Sequence, residues 1–150
     1  DDPWYLFYKK FEQRYPKAKF IFYERDPEKW YESCLFFFGR ASSPMNEFIF
    51  GKGAGSPLYN KEHHISVYKQ HSTEVRDYFK DKPEKFLEIP DLSDNSAQSI
   101  ASFIGHDANG VKFPYMNYNS LSKIEKTVRK TKLKLAKLLR LGETYISEDG

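Results

Sequence analysis

The chain has 150 residues with 39% apolar and 17% aromatic content, enough to bury a core as one domain and too apolar for a disordered segment. It contains no run of 18 or more apolar residues and no charged stretch followed by an apolar one near its start, which argues against a membrane-spanning helix and a retained signal peptide in these residues. The net charge of +3 is uneven: residues 121–141 hold eight Lys or Arg against Glu125, a balance of +7 that leaves −4 for the remainder.

In chain order, Tyr5, Tyr8, Phe11 and Tyr15 recur at helical spacing before Pro16 and predict a helix over Trp4–Tyr15. Lys19–Glu24 is apolar and aromatic enough for a short strand in a covered sheet. Asp26 is placed to cap a helix that Pro27 begins with its preset φ, and Gly39 ends that helix after Phe38. Residues 40–60, with Ser42-Ser43-Pro44 and the run Gly51-Lys52-Gly53-Ala54-Gly55-Ser56, predict a flexible, lid-like loop with a short helix near Asn46–Phe50. The glycine run lacks the GxxxxGK[ST] order of a phosphate-cradling loop.

A stripe of Ile65, Tyr68, His71 or Ser72, Val75 and Phe79 predicts a helix over Glu62–Lys80, closed by Pro83. Phe86–Ile89 reads as a second strand, and Asp91-Leu92-Ser93-Asp94 turns the chain into a helix from about Ser96 to Ile104, stopped by Gly105. Asp91 and Asp94 read as helix caps. Two strands joined by a long helical crossover predict an α/β fold with a short parallel sheet, and so few strands predict an incomplete sheet. Ile124, Val128, Leu135, Leu138 and Leu139 then fall largely along one face of a basic amphipathic helix over Leu121–Leu141. That helix is expected to dock its leucines on its own domain or on a partner, in preference to a membrane. The charge comes without a helix-turn-helix, RRM or zinc signature, so nucleic acid is not the expected partner.

Arg25 sits where the first strand gives way to a helix, a place where open α/β sheets collect ligands and where a helix start exposes N–H groups. Ser33 lies six residues past Pro27, ~9 Å along a helix rising ~1.5 Å per residue, on a face shared with Lys29 and Trp30. Guanidinium, ammonium and hydroxyl around one point suit a phosphate. The plainer reading is a capping Asp26, a core Trp30 and a Ser33 bonded back to its own helix.

The segment RDPEKWYES, residues 25–33, resembles the 3′-phosphate-binding segment of the P-loop-like sulfotransferases that use 3′-phosphoadenosine 5′-phosphosulfate. Asp2-Pro3-Trp4, FEQRYPKAKFIF, VYKQHSTEVRDYFKD, KFLEIPDLSD and SIASFIG with KFPYMN are similar to the same family in the same order, over about 115 residues. The resemblance implies a partial P-loop-type three-layer sandwich. It also implies transfer of a sulfuryl group to a hydroxyl or amine on a small-molecule or glycan acceptor, with Arg25 and Ser33 holding the 3′-phosphate of the donor or of its product, 3′-phosphoadenosine 5′-phosphate. In that family a glycine-rich phosphosulfate loop follows an earlier strand, and none precedes Arg25 here. The expectation is therefore a C-terminal portion, inactive alone, that is completed by an N-terminal part or a partner chain, with residues 1–120 the sulfotransferase-like domain and 121–150 a basic helix and tail. No catalytic residue is assigned, and Glu24 beside Arg25 departs from the family's usual uncharged residue.

An alternative is a truncated, non-catalytic relative that binds a partner chain through its basic C-terminal helix. His63, His64, His71 and His106 lack zinc-site spacing and are read as structural or surface residues, with an approach of His71 to a bound nucleotide or acceptor as the lesser alternative; no metal is expected. Cys34, the single cysteine, lacks a base partner, is read as a small buried residue, and fits a reducing, cytoplasmic setting. Phe113–Asn117, FPYMN, is placed to close part of the nucleotide pocket, with Lys112 the nearest cation.

Overall fold

The two strands lie side by side and parallel, β1 (Phe20–Tyr23) against β2 (Phe86–Ile89), with Phe20 opposite Phe86 and Tyr23 opposite Ile89. The computed structural model describes residues 2–114 and 123–146. Among the described residues six helices accompany the strands: α1 (Asp2–Arg14), α2 (Pro27–Phe38), α3 (Pro44–Phe50), α4 (Lys61–Phe79), α5 (Asp94–Ile104) and α6 (Lys123–Ile146). The helix-rich α/β architecture with a short parallel sheet is the one the sequence predicts. The chain divides into two compact units, Asp1–Asp26 with Tyr68–Met116, and Pro27–Val67 with Asn117–Gly150.

The first unit is built on aromatic packing. Phe79 from α4 stacks flat on Phe86, with centroids 4.9 Å apart, and lies 4.9 Å from Phe20. Tyr8 of α1 meets Phe79 and Tyr78, and Tyr8, Val75 and Phe79 form the buried centre with Phe20, Phe22 and Phe86 around it. The helical stripe of α4 thus reaches the pleat face that carries Phe20, Phe22 and Phe86, because residues two apart on a strand share a face. On the other face Ile89 is buried and α5 packs against β2, while Ile21 is 44% exposed and Tyr23 is also open. A covered strand is what the apolar run of β1 predicts; instead its burial alternates. Four residues paired on one side give it one packed face only.

A buried carboxylate ties α1 to the end of α4 and the turn after it. Glu12, 7% exposed on α1, accepts a hydrogen bond from Tyr78 Oη at 3.0 Å and pairs with Lys82 at 3.2 Å and with Lys85. The Lys85 and Lys82 ammonium groups hold its pKa down to about 2, against the opposing effect of burial. At α5 the cap is Ser93, whose hydroxyl accepts from Ser96 N at 3.3 Å. The predicted caps Asp91 and Asp94 take other places: Asp91 accepts from Ser93 N and Ser96 Oγ and so braces the capping turn, and Asp94 is the first helical residue. Serine is the shorter side chain and reaches the open N–H groups from the cap itself.

In the second unit, residues 40–60 are far more tied down than an irregular loop. Ser43 caps α3, accepting from Asn46 N at 3.1 Å. The Glu47 carboxylate accepts from Ser42 Oγ and from the backbone N–H groups of Gly53 and Gly55, which together hold its pKa below the ordinary range. Gly55 is buried so close to this cluster that a Cβ on it would stand 2.6 Å from Glu47 Oε1. Tyr31 Oη of α2 donates to Pro57 O at 2.6 Å, and Leu58 N donates to Gly39 O at 3.2 Å. Gly39, with φ of +56°, turns the end of α2 in a conformation other residues resist, and it lies against Leu133 of α6.

Candidate functional site

Arg25 follows the carboxyl end of β1 and is exposed. Its backbone is fixed from α4: Arg25 N donates to Tyr68 Oη at 2.9 Å, and Tyr68 Oη donates back to Arg25 O at 3.1 Å. One hydroxyl thereby satisfies both main-chain groups of a residue that has left the ladder. Donation requires the neutral phenol, and burial of Tyr68 raises its pKa against the lowering effect of the Arg25 backbone bond, keeping it so.

The neighbouring Glu24 is turned to another cation. Arg76 of α4 grips Glu88 of β2 through Nε, at 3.2 and 3.0 Å to the two carboxylate oxygens, and reaches Glu24 with its terminal nitrogen. Burial pushes the Glu24 carboxyl up, but hydrogen bonds from Arg76 and Ser72 outweigh it and leave the pKa lowered. Arg76 also lies over the Phe22 ring, 5.4 Å from its centroid. The carboxylate that the sequence sets beside Arg25 is therefore paired with Arg76, which it shares with Glu88, and among the described residues no carboxylate forms an ion pair with the Arg25 guanidinium. An exposed guanidinium on an anchored backbone is suited to an anion from solvent.

Ser33 belongs to the second unit. It lies half-buried on α2, one turn past Lys29 and Trp30. The start of that helix is stitched to α4 by Glu28 and Lys61, 2.8 Å apart and both exposed, and Lys61 also lies over the Tyr31 ring at 5.7 Å. Cys34, expected to be buried, is half-buried. Arg25 closes a segment of one unit and Ser33 lies in the other, so the strand-to-helix junction of the motif coincides with the division of the chain.

The histidines have local partners. His64, 2% exposed, stacks on Phe50 with rings 8° from parallel, and its Nε2 lies 2.7 Å from Ala54 O; burial lowers its pKa, so the neutral ring donates to that carbonyl. His63 Nε2 lies 2.6 Å from Phe50 O. His71 stacks on Tyr5 at 3.7 Å and meets Tyr8 edge-on, with burial holding its pKa down. Among the described residues no three His, Cys, Asp or Glu side chains gather into a metal-binding group, and no helix is long and apolar enough to cross a membrane. Of FPYMN, Phe113 and Pro114 are described and Tyr115–Asn117 lie outside the described residues.

Tyr68 and Arg76 are the residues that sequence reasoning does not single out. Tyr68 counts there as one more apolar position in the α4 stripe, and nothing in a helical period says that its hydroxyl reaches a strand end 43 residues earlier.

Residues 1–52 match the family model of the sulfotransferase domain. No curated protein and no solved structure matches the chain. The matched stretch runs from α1 to the residue after Gly51 and contains both Arg25 and Ser33. Over that first third the chain is similar to the sulfotransferase domain, which supports a sulfotransferase domain there.

Proposed function

We propose that this chain is the part of a cytoplasmic, P-loop-like sulfotransferase that holds the 3′-phosphate of 3′-phosphoadenosine 5′-phosphosulfate, in an enzyme that sulfates a hydroxyl or amine on a small-molecule or glycan acceptor. The observation that carries the reading is the family match over residues 1–52 together with an exposed Arg25 whose backbone is clamped by Tyr68 and whose adjacent carboxylate is taken by Arg76. The donor, when bound, supplies the sulfuryl group and leaves as the bisphosphate. Arg25 contributes a fixed positive charge to the far phosphate and Ser33 an uncharged donor to the same anion, which sets the register of the nucleotide without touching the reacting sulfur. The cation at the sulfuryl end and the base for the acceptor belong to residues outside this assignment.

Calorimetric titration of the protein with 3′-phosphoadenosine 5′-phosphate tests the reading. Binding is expected, with Arg25→Ala weaker by about tenfold or more, since a hydrogen bond to a charged group contributes ~1.5 to 3 kcal/mol. Ser33→Ala is expected to cost less, about 1.5 kcal/mol at the low end of that range, because the lost donor carries no charge. Adenosine 5′-phosphate, lacking the 3′-phosphate, is expected to bind wild type and Arg25→Ala alike. Equal affinity of the bisphosphate for wild type and Arg25→Ala counts against the proposal.

A further inference from the structure

The apolar stripe of α6 does not face the unit it belongs to. Leu133 is the residue that lies against Gly39, and it is half a turn away from Ile124, Val128, Leu135 and Leu138 on a helix of 100° per residue. Those four and Leu139 are all exposed, Ile124 at 75% and Leu138 at 64%. The sequence predicts leucines docked on the chain's own domain or on a partner; within its own compact unit a different leucine, Leu133, makes the contact with Gly39.

The outward residues recur at spacings of four, three, four and three through Ile124, Val128, Thr131, Leu135 and Leu138. That is a heptad seam, narrow and suited to another helix. Thr131 Oγ1 donates to Thr127 O at 3.0 Å, so the hydroxyl is satisfied within the helix and its methyl is free to line the seam. Helical spacing sets Lys132 beside one edge of the seam, on the same side as Glu125, and Lys134 beside the other, while Lys130 and Lys137 lie farther round the helix. A helix that lies in a membrane surface buries an apolar face of Trp, Phe or Leu, whereas this stripe follows a heptad spacing, is interrupted by Thr131 and carries no Trp or Phe. A second copy of α6 would bring a strongly basic helix against its equal.

From these observations we infer that α6 is a docking helix for a partner protein's acidic amphipathic helix, which would lay Leu or Ile knobs along the seam and Glu or Asp against the flanking lysines. The inference is independent of the sulfotransfer reading: it concerns a different element and needs no nucleotide.

The test uses the whole chain and a fluorescent synthetic helix of about four heptads, Leu at the core positions and Glu beside them, with a Lys-flanked twin. Anisotropy is expected to show saturable one-to-one binding of the Glu helix that weakens with salt, and about tenfold weaker binding or worse of the Lys twin. Leu135→Asp with Leu138→Asp is expected to abolish binding while leaving the melting temperature of the chain unchanged, because these side chains are not part of its core. Lys132→Glu with Lys134→Glu is expected to reverse the preference between the two helices. The inference is overturned by failure of the Glu helix to bind, by equal binding of the Lys twin, by a melting temperature that falls with the leucine pair, by binding only to phosphatidylserine vesicles, or by sedimentation showing the chain paired with itself through the seam.

Discussion

At the scale of single residues, the clearest device is one phenol serving both backbone groups of Arg25. Tyr68→Phe keeps the ring and removes the hydroxyl, leaving the Arg25 N–H and C=O without that partner. The expected cost is about 1 to 2 kcal/mol, read as a lower urea midpoint, with a parallel loss of bisphosphate affinity as the strand end loosens. An unchanged midpoint would mean that solvent replaces the hydroxyl at no cost. Arg76 offers a second test. Arg76→Gln frees the Glu24 carboxylate beside Arg25 and is expected to weaken bisphosphate binding most at low salt, and Glu24→Gln in the same chain is expected to restore it. Failure of the double variant to recover would show that Arg76 acts on folding alone. Arg25 and Ser33 are legible in the sequence because strand, turn and helix are adjacent there. Tyr68 and Arg76 are not, because each acts across a long separation, 43 residues in one case and 52 in the other, and a period of 3.6 fixes a face without fixing what a polar tip touches.

At the scale of elements, punctuation carries most of the information. Pro27 starts α2, Gly39 ends it, Gly105 ends α5, and observed bounds differ from expected ones by a few residues where caps compete, as at Ser93. The stretch from Ala41 to Asn60 is less legible. Its glycines and serines read as freedom, yet Glu47 turns the amides of Gly53 and Gly55 inward as a carboxylate cradle, and His64 and Tyr31 take the carbonyls of Ala54 and Pro57. Composition reports what backbone conformations are available, and a single acidic residue selects one of them. Glu47→Gln is therefore expected to speed hydrogen exchange at Gly53 and Gly55 while leaving the amides of α2 protected. Equal protection in both proteins would assign the order of this segment to its buried Pro57 and Leu58 instead. The same limit applies to α6, where spacing identifies the apolar stripe and is silent on the direction in which it points.

At the scale of the whole molecule, acid is the condition that separates the contributions to stability. The Glu12 carboxyl has an ordinary pKa of 4.5 and a folded value of about 2, so its contribution is complete above 4.5 and drains away as the pH falls toward 2. Urea midpoints are expected to drop between neutral pH and about pH 3 in the wild type, and to drop less in Glu12→Gln, which has already lost the pairing with Lys82 and Lys85. Parallel curves for the two proteins would place the acid sensitivity elsewhere. The parallel sheet has a different consequence. It consists of two strands among the described residues, so each has a flank whose amides and carbonyls meet no third strand, and Ile21 and Tyr23 stand bare beside one of them. Such a border templates ribbon growth between molecules. Concentrated solutions of the isolated chain should scatter light increasingly with time, and a lysine in place of Ile21 should keep them clear.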